Sequence, residues 1–260
     1  MNDSTATPLD SAEVRIIGVR GIPEVKPGDD LAGLIVSAAE RQGTPLQGGD
    51  LLVVTQKVVS KAEGRLVELS TVEPSDFARR FAREWGKDAR LMEVVLRETR
   101  RIVRMDRGLL IVETKQGFVC ANAGVDSSNS GGRGLVTLLP EDCDRSAETL
   151  RSEIKLRSGA EVAIIICDSF GRPWREGIDQ VALGVAGIAP LRDYGGERDP
   201  SGYELKVTQV AVADELASAA ELVMGKLERI PAAIVRGYRA PPGPGSGRRL
   251  LRGPETDLFR

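Results

Sequence analysis

The sequence predicts a mixed α/β protein, and the kinds of segment and their order support that fold class. Short apolar, β-branched runs of the kind that form buried strands alternate with longer segments whose apolar residues fall at helical spacing. Polar loops follow the apolar runs, and the chain contains no internal repeat. A sheet with helices packed against it, in the α/β or the α+β arrangement, accounts for this order.

Residues 1–13 predict a flexible tail, and residues 14–260 predict one domain. The first half of that domain contains the following predicted elements. Apolar runs predict strands over residues 14–19, Leu51–Thr55, 109–112 and 117–121. Apolar spacing predicts a helix over Leu31–Arg41, which Asp30 could cap, and residues 57–69 predict a short helix followed by a strand. Residues 73–104 predict a long charged helix broken near Gly86, with its arginines on a solvated face.

The second half predicts a linker over residues 140–144 and a helix over residues 147–157. Residues 162–167, the most apolar β-branched run in the chain, predict a central strand. The segment 177–191 fits either a strand or a helix. Residues 207–226 predict a long alanine-rich helix and residues 232–235 a last strand, after which 241–249 predict a flexible connector.

The composition excludes several kinds of catalytic site. The chain has no histidine, which excludes a Ser-His-Asp triad, a Cys-His pair and an HExxH zinc site. Its three cysteines are far apart, which disfavours a disulfide framework or a thiolate zinc site and favours a reducing, cytoplasmic location. Any metal must then be held by oxygen atoms, as Mg²⁺, Mn²⁺ and Ca²⁺ are.

Charge and motif content exclude further classes. The 36 basic and 38 acidic residues give a net charge of -2, which leaves no broad basic surface for nucleic acid. No apolar run approaches the roughly 18 residues of a membrane span, and the N-terminus lacks the apolar part of a signal peptide. P-loop and Rossmann glycine motifs are absent. We therefore expect neither nucleic-acid nor membrane partners.

Two polar segments are the strongest candidates for a reactive site. The loop 120–134 combines short oxygen-bearing side chains with glycines, as a hard cation or a phosphate requires, although exposed turns use the same residues. Asp168 and Ser169 follow the central strand, where ligands bind in open α/β sheets, although Asp168 could instead cap the next turn. Arg172 and Arg175 offer donors for phosphate or carboxylate.

Two other segments give weaker signals. Glu204 precedes a predicted helix, where a carboxylate can simply interact with the helix dipole. The strip 22–25, together with Lys57 and Lys61, offers polar and charged groups, yet lysines in such places are usually solvated. The four segments form one site only if the fold brings them together.

Several longer strings of residues resemble one protein family. The strings GIPEVKPGDDL, VVTQKVVSKAEGRLVEL, ANAGVDSSN, DSFGRPWREG, YELKVTQVAVADELASAAELVMGK and RGPETDLF occur in this order. Together they resemble the coenzyme F420-0:glutamate ligase (F420:γ-glutamyl ligase) family over about residues 14–259. Several long strings in register are far more specific than one short motif.

The resemblance implies both a fold and an activity. The fold would be an unusual mixed α/β architecture forming an intertwined homodimer, here without the nitroreductase-like domain that is fused in some bacterial relatives. The activity would be GTP-dependent attachment of L-glutamate to the phospholactyl carboxylate of coenzyme F420-0, then γ-linked extension, through an acyl phosphate. Three anionic groups meet in this reaction, so two divalent cations (Mn²⁺ or Mg²⁺) are implied, with K⁺ as a further candidate.

The resemblance also implies roles for individual residues. Asp126 and Asp168 would share the first metal ion and would be the catalytic residues, and Ser169 and Glu204 would bind the second ion. The implied contacts with GTP are Ile22, Pro23, Glu24, Val25, Gln56, Lys61, Asn129, Gly202, Tyr203, Glu204, Leu205, Lys206, Val207, Thr208 and Gln209.

The residues alone leave two other classes of function open. A metal-dependent phosphatase or nucleotidyl transferase could use the same carboxylates with water or another acceptor. A non-catalytic binding or scaffold module would use its glycines only as turns. Nucleotide turnover that needs both acceptor and glutamate distinguishes a ligase from the first class, and metal-dependent nucleotide binding distinguishes it from the second.

Overall fold

The structure is a computed structural model that describes residues 13–127 and 134–258. Its strands are β1 (Arg15–Gly18), β2 (Leu51–Thr55), β3 (Leu66–Glu68), β4 (Thr99–Asp106), β5 (Leu109–Thr114), β6 (Val119–Ala121), β7 (Leu135–Thr137), β8 (Ala163–Arg172), β9 (Arg175–Ala186), β10 (Arg192–Asp193), β11 (Gln209–Val210) and β12 (Ala232–Arg236). Its α-helices are α1 (Leu31–Arg41), α2 (Gln56–Ala62), α3 (Asp76–Trp85), α4 (Ala89–Arg97), α5 (Cys143–Ser158) and α6 (Val212–Met224). The predicted mixed α/β class is confirmed. The predicted tail lies outside the described residues except for Glu13.

A five-stranded sheet in the order β1-β12-β2-β8-β9 forms the centre of the molecule. Strands β2 and β8 run parallel, and the other neighbours run antiparallel. Side chains alternate along β2: Leu52 and Val54 are buried on the face covered by α1 and α5, and Leu51 and Val53 on the face covered by α6. Because both faces of the sheet are covered, the sequence of β2 is a continuous apolar run and does not alternate between apolar and polar residues.

The helices on these faces begin at side-chain caps. Asp30 Oδ1 accepts a hydrogen bond from Gly33 N at 2.9 Å, which confirms the predicted start of α1. Helix α5 starts four residues earlier than predicted, because Asp142 in the predicted linker accepts from the first backbone amides of the helix. None of the helices in the described ranges combines the length and the apolar character that crossing a membrane requires.

A smaller sheet in the order β4-β5-β6 packs against α3 and α4. The prediction of helix as far as Arg104 is wrong, because α4 ends at Arg97 and β4 begins at Thr99. The β-branched residue Ile102 pairs across the strands with Val112 in β5. The charged residues that suggested a helical face lie instead along a largely exposed strand.

Three further predictions near the site need correction. The central strand does not end at Cys167 but continues to Arg172 as the first arm of a hairpin, and most of the ambiguous segment 177–191 forms the second arm, β9. The predicted helix over 207–226 begins only at Val212, because Gln209–Val210 pairs with β10. The predicted flexible connector packs on β9, and a Cβ at Gly247 would lie 2.3 Å from the Leu183 carbonyl oxygen.

Candidate active site

The candidate site lies where β2 ends and its parallel pairing with β8 stops. Thr55 at the end of β2 pairs with Cys167 in β8, so α2 starts beside Asp168. Ile166 belongs to the core under α1 and α5, and Cys167 to the core under α6. Because side chains alternate along a strand, Asp168 and Ser169 leave β8 towards opposite faces of the sheet. The site therefore has two halves, one on each face.

A β-bulge directly precedes Asp168. The register between β8 and β9 shifts between Ile166 and Cys167. Gly184, on β9 at this bulge, lies so close to α5 that a Cβ would be 2.1 Å from the Cys143 carbonyl oxygen. Bulges re-aim the side chains that follow them, and they are common beside active sites. Here the extra residue is Leu183 on β9, so the bulge bends the partner strand beside the two site residues of β8.

The first half of the site contains Asp168, Asp126 and Lys57. The backbone of Asp126 is fixed by two hydrogen bonds with Thr137, and its Oδ2 lies 2.5 Å from Lys57 Nζ on α2. Burial raises the pKa of Asp168 to about 6, and the nearby negative charge of Asp126 acts in the same direction. Lys57 and Lys226 act in the opposite direction, as does a hydrogen bond from the backbone. Two carboxylates thus share a region in which positive charge is favourable.

A left-handed turn carries the chain into Asp126. Asn122, Ala123 and Gly124 have φ values of 50°, 55° and 67°. Asparagine adopts such values readily, whereas Ala123 is strained there because of its Cβ. Glycine is required at the third position, since a Cβ there would lie 2.9 Å from Leu139 side-chain atoms. This strained turn, close to a carboxylate, indicates a position that the surrounding fold holds in place.

The second half of the site is a network around Ser169. Gln180, directly opposite Ser169 on β9, donates from Nε2 to Ser169 Oγ at 3.0 Å and to Glu221 Oε2 at 2.8 Å. Lys226 Nζ lies 2.5 Å from Ser169 Oγ and 2.8 Å from Glu221 Oε1. Within the described residues, the buried Gln180 Oε1 has no hydrogen-bond partner. Sequence reasoning missed Gln180, Glu221 and Lys226.

The residues predicted to contact the nucleotide in the first part of the chain cluster at α2. Lys61, whose side chain is 6% exposed, forms an ion pair with the exposed Glu24. Gln56 Oε1 accepts from Ser60 Oγ at 2.7 Å, and the buried Gln56 Nε2 lacks a hydrogen-bond partner in the part of the chain that the structure describes. A bound ligand could supply that missing acceptor. Ile22 and Val25 instead pack in the core under α1.

The strip 202–209 makes its described hydrogen bonds within its own segment of the chain. It belongs to an exposed excursion between β10 and β11, in which Leu205 N donates to Glu197 O and Asp199 N donates to Tyr203 O. The carboxylate of Glu204 lies 4.0 Å from Arg198 within this excursion. Its hydrogen bonds within residues 134–258 do not reach the residues at the end of β8. Asn129 lies outside the described residues.

The chemistry of these groups is that of oxygen ligands and ammonium groups. Within the described ranges, no three Cys, Asp or Glu side chains gather to form a complete metal site. Mg²⁺ commonly takes only one or two carboxylates from the protein and completes its shell with phosphate oxygens and water.

Burial raises the pKa of the Cys120 and Cys143 thiols to about 12, so these thiols stay protonated at neutral pH. Arg172 is engaged with Asp179 at 2.8 Å.

Comparison with known proteins identifies the family. Residues 19–237 match the family described as F420-0:Gamma-glutamyl ligase. A protein named Coenzyme F420:L-glutamate ligase from Methanothermobacter thermautotrophicus is 48% identical over 252 residues, covering 95% of this chain and 99% of the relative. Proteins of the same name from Methanopyrus kandleri and Methanocaldococcus jannaschii are 49% identical over 242 residues (91% of this chain, 94% of the relative) and 43% identical over 251 residues (95% and 97%). The chain belongs to the F420-0:γ-glutamyl ligase family.

Proposed function

We propose that this protein is a ligase that attaches L-glutamate to coenzyme F420-0 and extends the product by γ-linked glutamate, with GTP as the energy source. Membership of the family and the names of relatives at 43–49% identity support the acceptor and the amino acid. The observation that carries the proposal is the convergence of Asp126 and Asp168 beside Lys57 of α2, where β2 ends next to β8.

The side chains at this edge fit two divalent cations, Mn²⁺ or Mg²⁺. The donors are oxygen atoms, and the raised pKa of Asp168 reflects a carboxylate that lacks compensation for its burial. Asp126 and Asp168 would hold one ion. Ser169 would hold the other, together with Glu204, as the resemblance implies, or Glu221, which the Gln180 amide links to Ser169. When bound, the cations offset the charge of the phosphates and of the transferring phosphoryl group.

The residues of the chain would act mainly by binding and orienting the reactants. Lys61 and the Gln56 amide would bind the nucleotide beside α2. Lys57 would place positive charge next to the reacting phosphate. The acceptor carboxylate is already ionised at neutral pH, so its attack on the γ-phosphate needs no general base, and a chain without histidine can support this step. The glutamate amine then displaces phosphate from the acyl phosphate.

We propose further that the protein acts as a homodimer. The β4–β5 hairpin exposes the apolar side chains of Ile102, Met105 and Leu109, which are 39%, 50% and 45% exposed. A second copy of the chain would bury them, and two-fold dimers are the commonest oligomers. A monomer mass by light scattering at micromolar concentration, with full activity, would contradict this part of the proposal.

The function is tested by incubating the protein with F420-0, L-glutamate, GTP and Mn²⁺ and following the products by mass spectrometry. We expect mono- and poly-glutamylated F420 together with GDP and phosphate. Oxygen-18 in the acceptor carboxylate should appear in the released phosphate; label in GMP would contradict the acyl-phosphate mechanism. GTP hydrolysis of equal rate without acceptor and glutamate would instead favour a metal-dependent phosphatase.

A further inference from the structure

The hydroxyl of Ser169 already has its acceptor positions filled. A serine oxygen has two lone pairs with which to accept hydrogen bonds. Gln180 Nε2 donates to it at 3.0 Å and Lys226 Nζ at 2.5 Å. A metal ion on Ser169 would need one of these lone pairs. Ser169 can therefore become a ligand only when one of the two donors withdraws.

The two donors are held very differently. Gln180 is 3% exposed, lies on β9 directly opposite Ser169, and is tied by the same amide nitrogen to Glu221. Lys226 has a side chain that is 51% exposed and lies on the turn after α6. Movement of Gln180 would break a buried network, whereas movement of Lys226 would place a long, flexible side chain in water. Lys226 is thus the donor that withdraws.

Electrostatics exclude joint occupancy by Lys226 and a metal ion. The Lys226 ammonium lies 2.8 Å from Glu221 Oε1 and 2.5 Å from Ser169 Oγ. A divalent ion bound by the same two oxygens, at about 2.0–2.2 Å from each, would lie within a few ångströms of the ammonium. Two positive charges at that separation repel strongly in a partly buried site.

The turn that carries Lys226 is built to hold this arrangement. Glu228 Oε2 accepts a hydrogen bond from Leu227 N at 2.8 Å and lies against Gly225. Gly225 has a φ of 58° and a ψ of -168°, a backbone conformation that is essentially restricted to glycine. Glycine is therefore required where α6 ends, and the turn directs Lys226 back towards Ser169.

We propose that Lys226 is the resident cation of the metal-free site: its ammonium occupies the place of the second divalent ion on Ser169 and Glu221, and it leaves when that ion binds. This inference rests on the two-cation site of the proposed function. It assigns Lys226 a positioning role, because in the metal-free protein it neutralises Glu221 and keeps the Ser169 network assembled.

The test measures Mn²⁺ binding without nucleotide, by electron paramagnetic resonance and calorimetry, on the full-length protein. Lys226→Met removes the ammonium and keeps the length of the side chain. The matched control is Lys155→Met, which removes an exposed lysine paired with Glu161 before the start of β8, at the opposite edge of the sheet. We expect the second, weaker Mn²⁺ site to bind about two- to fivefold more tightly in Lys226→Met, in line with the loss of one partly exposed ion pair, and to be unchanged in the control.

Unchanged or weaker Mn²⁺ binding in Lys226→Met would overturn the inference, because a lysine that serves only the nucleotide phosphates would not compete with the metal. Lys226→Gln is measured in parallel, so that the conclusion does not depend on the folding of one variant. Wild-type protein that takes up no Mn²⁺ would overturn both this inference and the proposed metal site. Wild-type protein that takes up Mn²⁺ but forms no glutamylated product would contradict the proposed function and leave the role of Lys226 standing.

Discussion

Two aspartates lie at opposite ends of the same pair of parallel strands, and they differ in how their charges are compensated. Asp50, just before β2, is 2% exposed. It accepts hydrogen bonds from Arg236 Nε and Nη2 at 2.8 and 2.7 Å and from Gln47 N at 2.8 Å. Asp168, near the end of β8, has a pKa raised to about 6 by burial, beside a second carboxylate. Burial by itself therefore does not mark a site. The informative property is burial that the protein's own groups leave uncompensated.

This comparison predicts opposite outcomes for the same chemical change at the two aspartates. Asp168→Asn should keep the fold but lower turnover on the order of 10²-fold or more, because a neutral amide holds less tightly the divalent cation that offsets the negative charges of the reactants. Asp126→Asn should behave alike. Steady-state ligase assays at saturating Mn²⁺, on variants whose circular dichroism matches the wild type, measure the effect. Near wild-type turnover in either variant would remove that aspartate from the site.

Asp50→Asn should instead reduce stability and leave the turnover of the folded protein within about twofold of wild type. The substitution leaves the Arg236 guanidinium, whose side chain is only 23% exposed, without its anionic partner. Breaking a buried pair of this kind costs about 3 kcal/mol of unfolding free energy. Urea unfolding measures this loss. A large drop in turnover without a loss of stability would show that the compensated end of the sheet also serves the reaction.

The sequence predicts much of the fold because the central strands are almost purely apolar. Leu51–Thr55 is confirmed residue by residue, and the run 162–167 is confirmed as the start of β8. The predicted strand ends too early, at Cys167, because the polar residues of a two-stranded hairpin arm resemble a loop when their partner strand is unknown. Strand β4 is mistaken for helix for a similar reason, since its arginines face solvent and its pairing with β5 supplies the missing support.

The site is only partly predictable because its second half is assembled by long-range contacts. Asp168 and Ser169 are evident from their place after the apolar run, and Asp126 from the polar loop. Lys226 is 57 residues away from Ser169, and no local pattern reports that contact. The topology explains the contact: Lys226 lies shortly before β12, and because β12 runs antiparallel to β2, the start of β12 lies beside the end of β2.

The comparison can be sharpened by a second pair of acids, Glu221 and Glu204. Glu221→Gln should lower turnover about tenfold or more, because Gln180 links Glu221 to Ser169, and supporting groups of metal sites have effects of this size. Glu204 lies on the exposed excursion beside Arg198, so Glu204→Gln should have the smaller effect unless a second subunit brings that excursion to the site. Turnover and Mn²⁺ titrations of both variants decide between them. A larger effect at Glu204 would assign the second-ion ligand to Glu204.

The last prediction concerns the metal-free protein, in which an uncompensated charge should cost stability. The folded-state pKa of Asp168 is raised to about 6 from a usual 3.8, so the folded protein takes up a proton more readily than the unfolded chain does. Above pH 6 both states are ionised and the full cost is present. As the pH falls through 6, the folded state is protonated first, and the cost disappears near pH 4.

Asp168→Asn removes this cost at pH 7. Without metal, the variant should be more stable than the wild type by about 1–2 kcal/mol, allowing for the partial exposure of the carboxyl group. The gap should close towards pH 4–5, and Mn²⁺ should reverse it at pH 7 by stabilising only the wild type. Urea unfolding in chelator at pH 7 and pH 5 measures the gap, with Asp50→Asn as the control that loses stability. A metal-free Asp168→Asn protein that is less stable than wild type at pH 7 would mean that the site aspartate is compensated as fully as Asp50, and the contrast between the two ends of the sheet would fail.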